Sequence, residues 1–399
     1  MAIKHKNFNL KTFYAYKFIS ECLPIYAFYA LLFIERGQSL IDVALLIALW
    51  NTFALVFEIP TGLLADRINR KTMLVTSCLF KGVCFLVWYI SYSFWLFALG
   101  FLFWAFASSL TSGTEESLIF DSLKKDGNQD KFTEVYGRVE LFATIGALVG
   151  ITSSGILVNF FSLGSIALIS ASISLIDALF AINLRGLVLY RETNTKAKET
   201  ISGTLHSAVN FIKLSKVAPI IIAFIVLVVS LGAYLDEFDA LIIADFELDL
   251  YWVTVILVIR LLFMVIGDIL APIAEKYITS FRGLIGITGI GCLLLGLFAW
   301  MWKPLALIIF GFPFMIFTMV NVILINKLNQ EIKEEARATI MSVIRVGQSL
   351  GMIILALIFG WLTCIVGMQQ TYLIIVGFGI VCSILFALAL NPLTKKVKK

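Results

Sequence analysis

Twelve apolar runs, each near the length of a bilayer-spanning helix, constrain this chain more than any other feature. They fall at 13–35, 40–64, 72–91, 94–122, 132–160 and 164–186, then at 217–240, 250–274, 281–302, 304–328, 336–365 and 369–391. A helix of about 20 apolar residues matches a hydrocarbon core roughly 30 Å thick. The chain is 60% hydrophobic with a mean hydropathy of +0.97, more apolar surface than a water-soluble domain can hide. An all-α membrane protein is therefore predicted. The first run is too long for a signal peptide, carries Lys17 and Glu21 and lacks a small-residue cleavage site, so it is read as retained.

The basic residues give these runs an orientation. With the N-terminus in the cytoplasm, 24 of the 31 lysines and arginines fall in cytoplasmic segments, two (Arg36 and Lys303) fall outside, and five lie within runs. This positive-inside asymmetry puts both termini in the cytoplasm of a multi-pass protein and requires an even number of spans. It also accounts for the net charge of +5, so no nucleic-acid partner is implied. Only one connection is long. It divides the chain into an N-terminal six-helix bundle, 1–186, a cytoplasmic linker, 187–216, and a C-terminal six-helix bundle with a basic tail, 217–399.

Between the second and third runs lies Gly62-Leu63-Leu64-Ala65-Asp66-Arg67-Ile68-Asn69-Arg70-Lys71, a short turn with three cations and one carboxylate beside Gly62. It resembles the loop motif of the major facilitator superfamily, Gly-x-Leu-Ala-Asp-Arg-x-Gly-Arg-Arg/Lys, with Asn69 at the second glycine. Asn is the next best residue for a left-handed turn, which makes the departure mild. After the eighth run, Ala274-Glu275-Lys276 overlays Ala65-Asp66-Arg67 as a worn repeat. Gly137, Gly146 and Gly150 keep the glycine spacing of the family's drug-antiporter motif, without its following proline. The resemblance implies twelve helices in two pseudo-symmetric bundles built from inverted repeats. It also implies a cytoplasmic gate made by Gly62, Asp66, Arg67, Arg70 and Lys71 with Asp121 and Arg138. Asp66 would meet the start of the eleventh helix, near Ala336.

Charges inside hydrocarbon cost at least about 2.5–3.5 kcal/mol each, so those within the runs need reasons. Five cations (Lys17, Lys81, Arg138, Arg260, Arg345) face eight carboxylates (Glu21, Glu58, Glu115, Glu116, Asp121, Glu140, Asp177, Asp268). Spare buried carboxylates tend to bind protons. The candidates for proton coupling are Glu21, Glu115, Glu116 and Glu58. Lys17 and Glu21, four apart, form either a local ion pair or part of a coupling site. Adjacent helical residues point about 100° apart, so at most one of Glu115 and Glu116 can face a cavity squarely. Lys17, Tyr26, Tyr29, Tyr234, Arg260 and Arg345 are candidates for the substrate cavity. Arg260 either attracts an anionic group or bridges to Asp268 or to a carboxylate of the other half. The acidic stretch Asp236, Glu237, Asp239, Asp245, Glu247 and Asp249 reads as a solvated outer loop or as a cation-favouring mouth.

Absences narrow the class. There is no Gly-x-x-x-x-Gly-Lys phosphate loop. Both histidines, His5 and His206, lie outside the runs, and no HExxH motif or Cys/His cluster occurs. The six cysteines lie in apolar runs without CxxC spacing and read as buried small apolar residues. No cofactor, metal or enzymatic activity is expected. The expectation is a monomeric secondary transporter in a cytoplasmic membrane, whose partners are a small-molecule substrate, protons and the lipid bilayer. Proton-driven efflux of an amphipathic drug-like compound or metabolite heads the readings. Behind it stand proton-coupled uptake of an organic anion, and a sensor or lipid scramblase on the same fold. A sensor should carry an added soluble domain or long tail.

Overall fold

The computed structural model describes residues 9–65, 68–184, 218–331 and 334–389. Asp66 and Arg67 of the gate motif and the linker 187–216 lie outside the described residues. Among those described, 12 helical segments are long and apolar enough to cross a membrane. Contacts divide the chain into two compact units, 1–192 with 247–258, and 193–246 with 259–399.

The first unit contains α1 (Leu10–Glu21), α2 (Tyr29–Glu35), α3 (Leu40–Ala65), α4 (Arg70–Ile90), α5 (Phe94–Thr111), α6 (Thr114–Lys125), α7 (Phe132–Leu157) and α8 (Leu163–Ile182). Its turns are tight because polar residues cap the incoming helices. Ser39 and Asp42 cap each other's backbone N–H groups at the start of α3, at 3.3 and 2.9 Å. Asn69 Oδ1 accepts from Lys71 N at 2.9 Å, and Ser162 Oγ accepts from Ser165 N at 3.2 Å. Asn69 has φ −60° and ψ 129°, so it stands at its position as an extended N-cap rather than as a left-handed turn residue.

Two expected spans are broken. The first run is interrupted between α1 and α2 by a 3₁₀ turn, Pro24–Ala27. Pro24 has no N–H to continue α1 and pushes Leu23 to extended backbone, φ −116° and ψ 103°. The fourth run breaks at Gly113, whose φ of +69° is a left-handed conformation that suits glycine. The chain therefore restarts as α6 directly before Glu115. Helix α7 can lie against the first break because a Cβ at Gly146 would meet the Phe18 carbonyl, and one at Gly150 the backbone of Cys22 and Leu23. Gly137, the third glycine of that spacing, faces open space.

The second unit contains α9 (Ala218–Phe224), α10 (Leu231–Asp236), α11 (Asp239–Ala244), most of α12 (Leu250–Tyr277), α13 (Phe281–Met301), α14 (Gly311–Glu331), α15 (Glu334–Val366) and α16 (Met368–Ala389). A π-helical turn, Ile225–Val229, joins α9 to α10. Ser230 Oγ donates to Ile225 O at 2.9 Å and Tyr234 Oη to Val226 O at 2.9 Å, occupying carbonyls that this turn exposes. Glu275, of the repeated loop motif, accepts both carboxylate bonds from Asn326 Nδ2 on α14, at 2.9 and 3.1 Å.

Candidate functional site

A cavity of about 210 Å³ opens inside the first unit, where the breaks of the first and fourth spans come together. Its walls come from α1, α4, α5, α6 and α8. Helix α1 stops here, leaving carbonyls at its C-terminal end without intrahelical partners. Ser20 Oγ takes the Lys17 carbonyl at 3.0 Å, and Lys81 Nζ on α4 donates to the Ser20 carbonyl at 3.0 Å. A cation at a helix C-terminus also complements the macrodipole. The Ile25 N–H, freed by the break, donates to buried Ser170 Oγ at 3.0 Å. Glu115 occupies the first turn of α6, where an anion is favoured by about 0.3–2 kcal/mol.

Lys17 reaches across the cavity to Glu115 rather than along α1 to Glu21. Lys17 Nζ lies 2.7 Å from Glu115 Oε2, and Tyr16 Oη donates to Glu115 Oε1 at 3.1 Å. The expected local Lys17–Glu21 pair is thus replaced, because the restart at Gly113 delivers Glu115 to the ammonium. Glu21 lines the same cavity half-buried, with no ion pair among the described residues. An aromatic wall faces these charges. Tyr26 stacks on Trp104 with centroids 5.2 Å apart and 4° between planes, and Lys81 Nζ stands 5.2 Å above the Tyr26 ring.

The other expected residues fall elsewhere. Glu116 points away, exposed, accepting from Tyr136 Oη at 3.2 Å. Glu58 is half-buried on α3 and does not line the cavity. Tyr29 is buried in the aromatic core against Phe33, Trp88, Phe101 and Trp104. Tyr234 fills the space above Gly351 in the second unit. Gly62 lies in the last turn of α3, and Lys71 is half-buried in the first turn of α4. Arg70 pairs with Asp121 at 2.5 Å and donates to the Ser117 carbonyl at 2.9 Å. Arg138 does not join them; it bridges to Glu134 one turn away at 2.6 Å.

In the second unit, Arg260 is not a free cation. It ion-pairs with Asp236 and, at 3.0 Å, with Asp239, while Asp268 is exposed. The acidic stretch is correspondingly not a fully solvated loop, since Asp239 is 0% exposed at the start of α11. Burial pushes the Asp239 carboxyl well above the usual carboxylate range; Arg260 opposes this, and Asp236 and Glu237 add to it. Arg345 is exposed on α15.

Most of the residues lining the cavity were not singled out as site residues from the sequence, among them Lys81, Asp177 and Trp104. Lys81 and Asp177 carried a signal, a charge within an apolar run, but the sequence does not say which helix faces which. Asp177 on α8 is 2% exposed. Among the described residues its Oδ2 accepts only from Cys78 Sγ, at 3.2 Å, and its buried Oδ1 has no partner.

Twelve helices of membrane-spanning length and a charge-lined cavity of about 210 Å³ inside the first unit are the architecture of a polytopic membrane protein. The family model of the Major Facilitator Superfamily matches residues 18–331, and the chain belongs to that superfamily. An uncharacterized transporter of Buchnera aphidicola subsp. Acyrthosiphon pisum (strain APS) is 23% identical over 347 residues, 82% of either chain. A Na(+), Li(+), K(+)/H(+) antiporter of Planococcus maritimus is 28% identical over 158 residues, 38% of this chain and 37% of that protein. The crystal structure of the nucleoside transporter NupG superposes with a TM-score of 0.77 at 16% identity, covering 96% of this chain and 99% of that one. That last likeness is one of fold.

Proposed function

We propose that this chain is a secondary transporter that works by alternating access and exports a small monovalent cation, organic or alkali, in exchange for protons. The observation that carries the reading is the cavity at the two helix breaks. There ionisable groups on four helices meet a stacked Tyr26–Trp104 wall suited to an organic or alkali cation. The partial likeness to an antiporter of Na(+), Li(+) and K(+) supports exchange of a monovalent cation for protons, and the glycine spacing in α7 supports antiport. Uptake of an organic anion is less favoured, because Arg260 already serves two carboxylates.

The two halves, 1–186 and 217–399, move against each other about the linker, with both termini in the cytoplasm of a bacterial-type cell membrane. The 24-to-2 distribution of basic residues supports that orientation. Reconstitution into proteoliposomes tests the function. With a pH gradient of the right sign, the protein accumulates K(+), Na(+) or a tetraalkylammonium ion against its gradient, and collapsing the pH gradient stops it. Flux of none of these, or flux indifferent to pH gradient, rejects the reading.

A further inference from the structure

The charges lining the cavity do not cancel. Two ammonium groups, Lys17 and Lys81, face three carboxylates, Glu21, Glu115 and Asp177. Glu115 is committed to Lys17 and to the Tyr16 hydroxyl. Glu21 is half-buried and open to the cavity. Asp177 has neither advantage. It is 2% exposed, has no cation within ion-pair distance among the described residues, and receives a single weak thiol bond. Its second oxygen has no donor among the described residues. A carboxylate left so has lost its hydration without replacement, whereas the neutral acid has lost far less.

The groups facing Asp177 are Cys78 and Lys81 from α4, Tyr16, Lys17 and Glu21 from α1, and Glu115 from α6. With Asp177 protonated, the two cations balance the two remaining carboxylates. With it ionised, the cavity is one negative charge in excess, and an entering monovalent cation restores neutrality. We propose that Asp177 is the proton-binding residue of this cavity, ahead of the glutamates to which the sequence draws attention. The step is a simple acid dissociation: the O–H bond of Asp177 breaks, the proton passes to cavity water, and the electron pair stays on the carboxylate. This rests on the antiport reading only for its purpose; the proton site stands or falls on its own measurement.

That measurement is infrared spectroscopy of the purified full-length protein in lipid, titrated with acid and base without substrate. A protonated-carboxyl band is expected at neutral pH in the wild type and in Glu21→Gln, and Asp177→Asn should remove one carboxyl per chain from its intensity, any remainder being assigned to buried Asp239 by its loss in Asp239→Asn. The Cys78 thiol provides a second readout that needs no change at Asp177. Its S–H stretch, assigned by its disappearance in Cys78→Ala, shifts in step with the carboxyl titration because Sγ donates to Oδ2. A carboxyl band of undiminished intensity in folded Asp177→Asn overturns the proposal. So does a Cys78 S–H band that ignores the titration, which decides the matter if Asp177→Asn does not fold. A protein with this band but no flux in proteoliposomes contradicts the transport reading and leaves the proton site intact.

Discussion

Lys17 on α1 is ion-paired with Glu115 on α6, 98 residues away, at 2.7 Å, although Glu21 lies one turn along its own helix. The two side chains are 14% and 12% exposed, so each stands opposite the other with little access to water. This pair ties the end of the broken first span to the restart of the fourth. It makes the cavity wall one electrostatic unit.

Removing one partner strands the other. Lys17→Met and Glu115→Gln are each expected to destabilise the protein by about 3–5 kcal/mol. The double variant should recover a large part of that loss, measured by thermal or denaturant unfolding in detergent. Additive losses in the cycle mean that the two side chains do not interact.

The Arg70–Asp121 pair is a different case, because its side chains are 31% and 52% exposed. Solvent screening holds its contribution to stability to about 1 kcal/mol or less. Asp121→Asn should therefore barely move unfolding, and should couple with Arg70→Gln in a double-mutant cycle. Asp121→Asn and Arg138→Gln should be additive, since Arg138 is bonded to Glu134. Strong coupling between positions 121 and 138 contradicts the observed pairing.

Asp239 predicts a pH dependence in the second unit. Its carboxyl lies well above the unfolded value of about 3.9, chiefly through burial. The folded protein thus holds a proton that the unfolded chain has lost. Stability should fall as pH rises from about 4 towards the folded value. Asp239→Asn should flatten that part of the curve of melting temperature against pH. A variant with the wild-type slope shows that another group sets it.

The glycines of α7 should respond in opposite directions. Gly146→Ala and Gly150→Ala place a methyl against the backbone of the first span and should destabilise by about 1–3 kcal/mol. Gly137→Ala meets nothing within 4 Å and should gain about 0.5–1 kcal/mol from reduced chain entropy. Equal effects at positions 137 and 146 would refute the assigned packing roles.

Several features were readable in the chain before any contact was known. Gly113 and Pro24 are breakers in plain view, yet apolar run length alone carries a span straight across both, because hydropathy records composition and not backbone continuity. Of the Glu115–Glu116 pair, at most one member was expected to face a cavity. That only Glu115 lines it follows from how α6 is rotated against its neighbours, which no local pattern encodes.

Sequence by itself determined the solvent and the number of spans, and it pointed to their orientation. Apolar length and the placement of basic residues are local properties, set by transfer free energies that do not depend on which helices are neighbours. It also carried the family, through a loop motif of fixed residues. Tertiary structure alone decided which charges meet: Lys17 with Glu115, Arg260 with Asp236 and Asp239, and Asp177, among the described residues, with a thiol and no cation. Helical periodicity says which side of its own axis a residue occupies. It does not say what lies opposite, and for a buried charge the group opposite determines whether it is a strut or holds a proton.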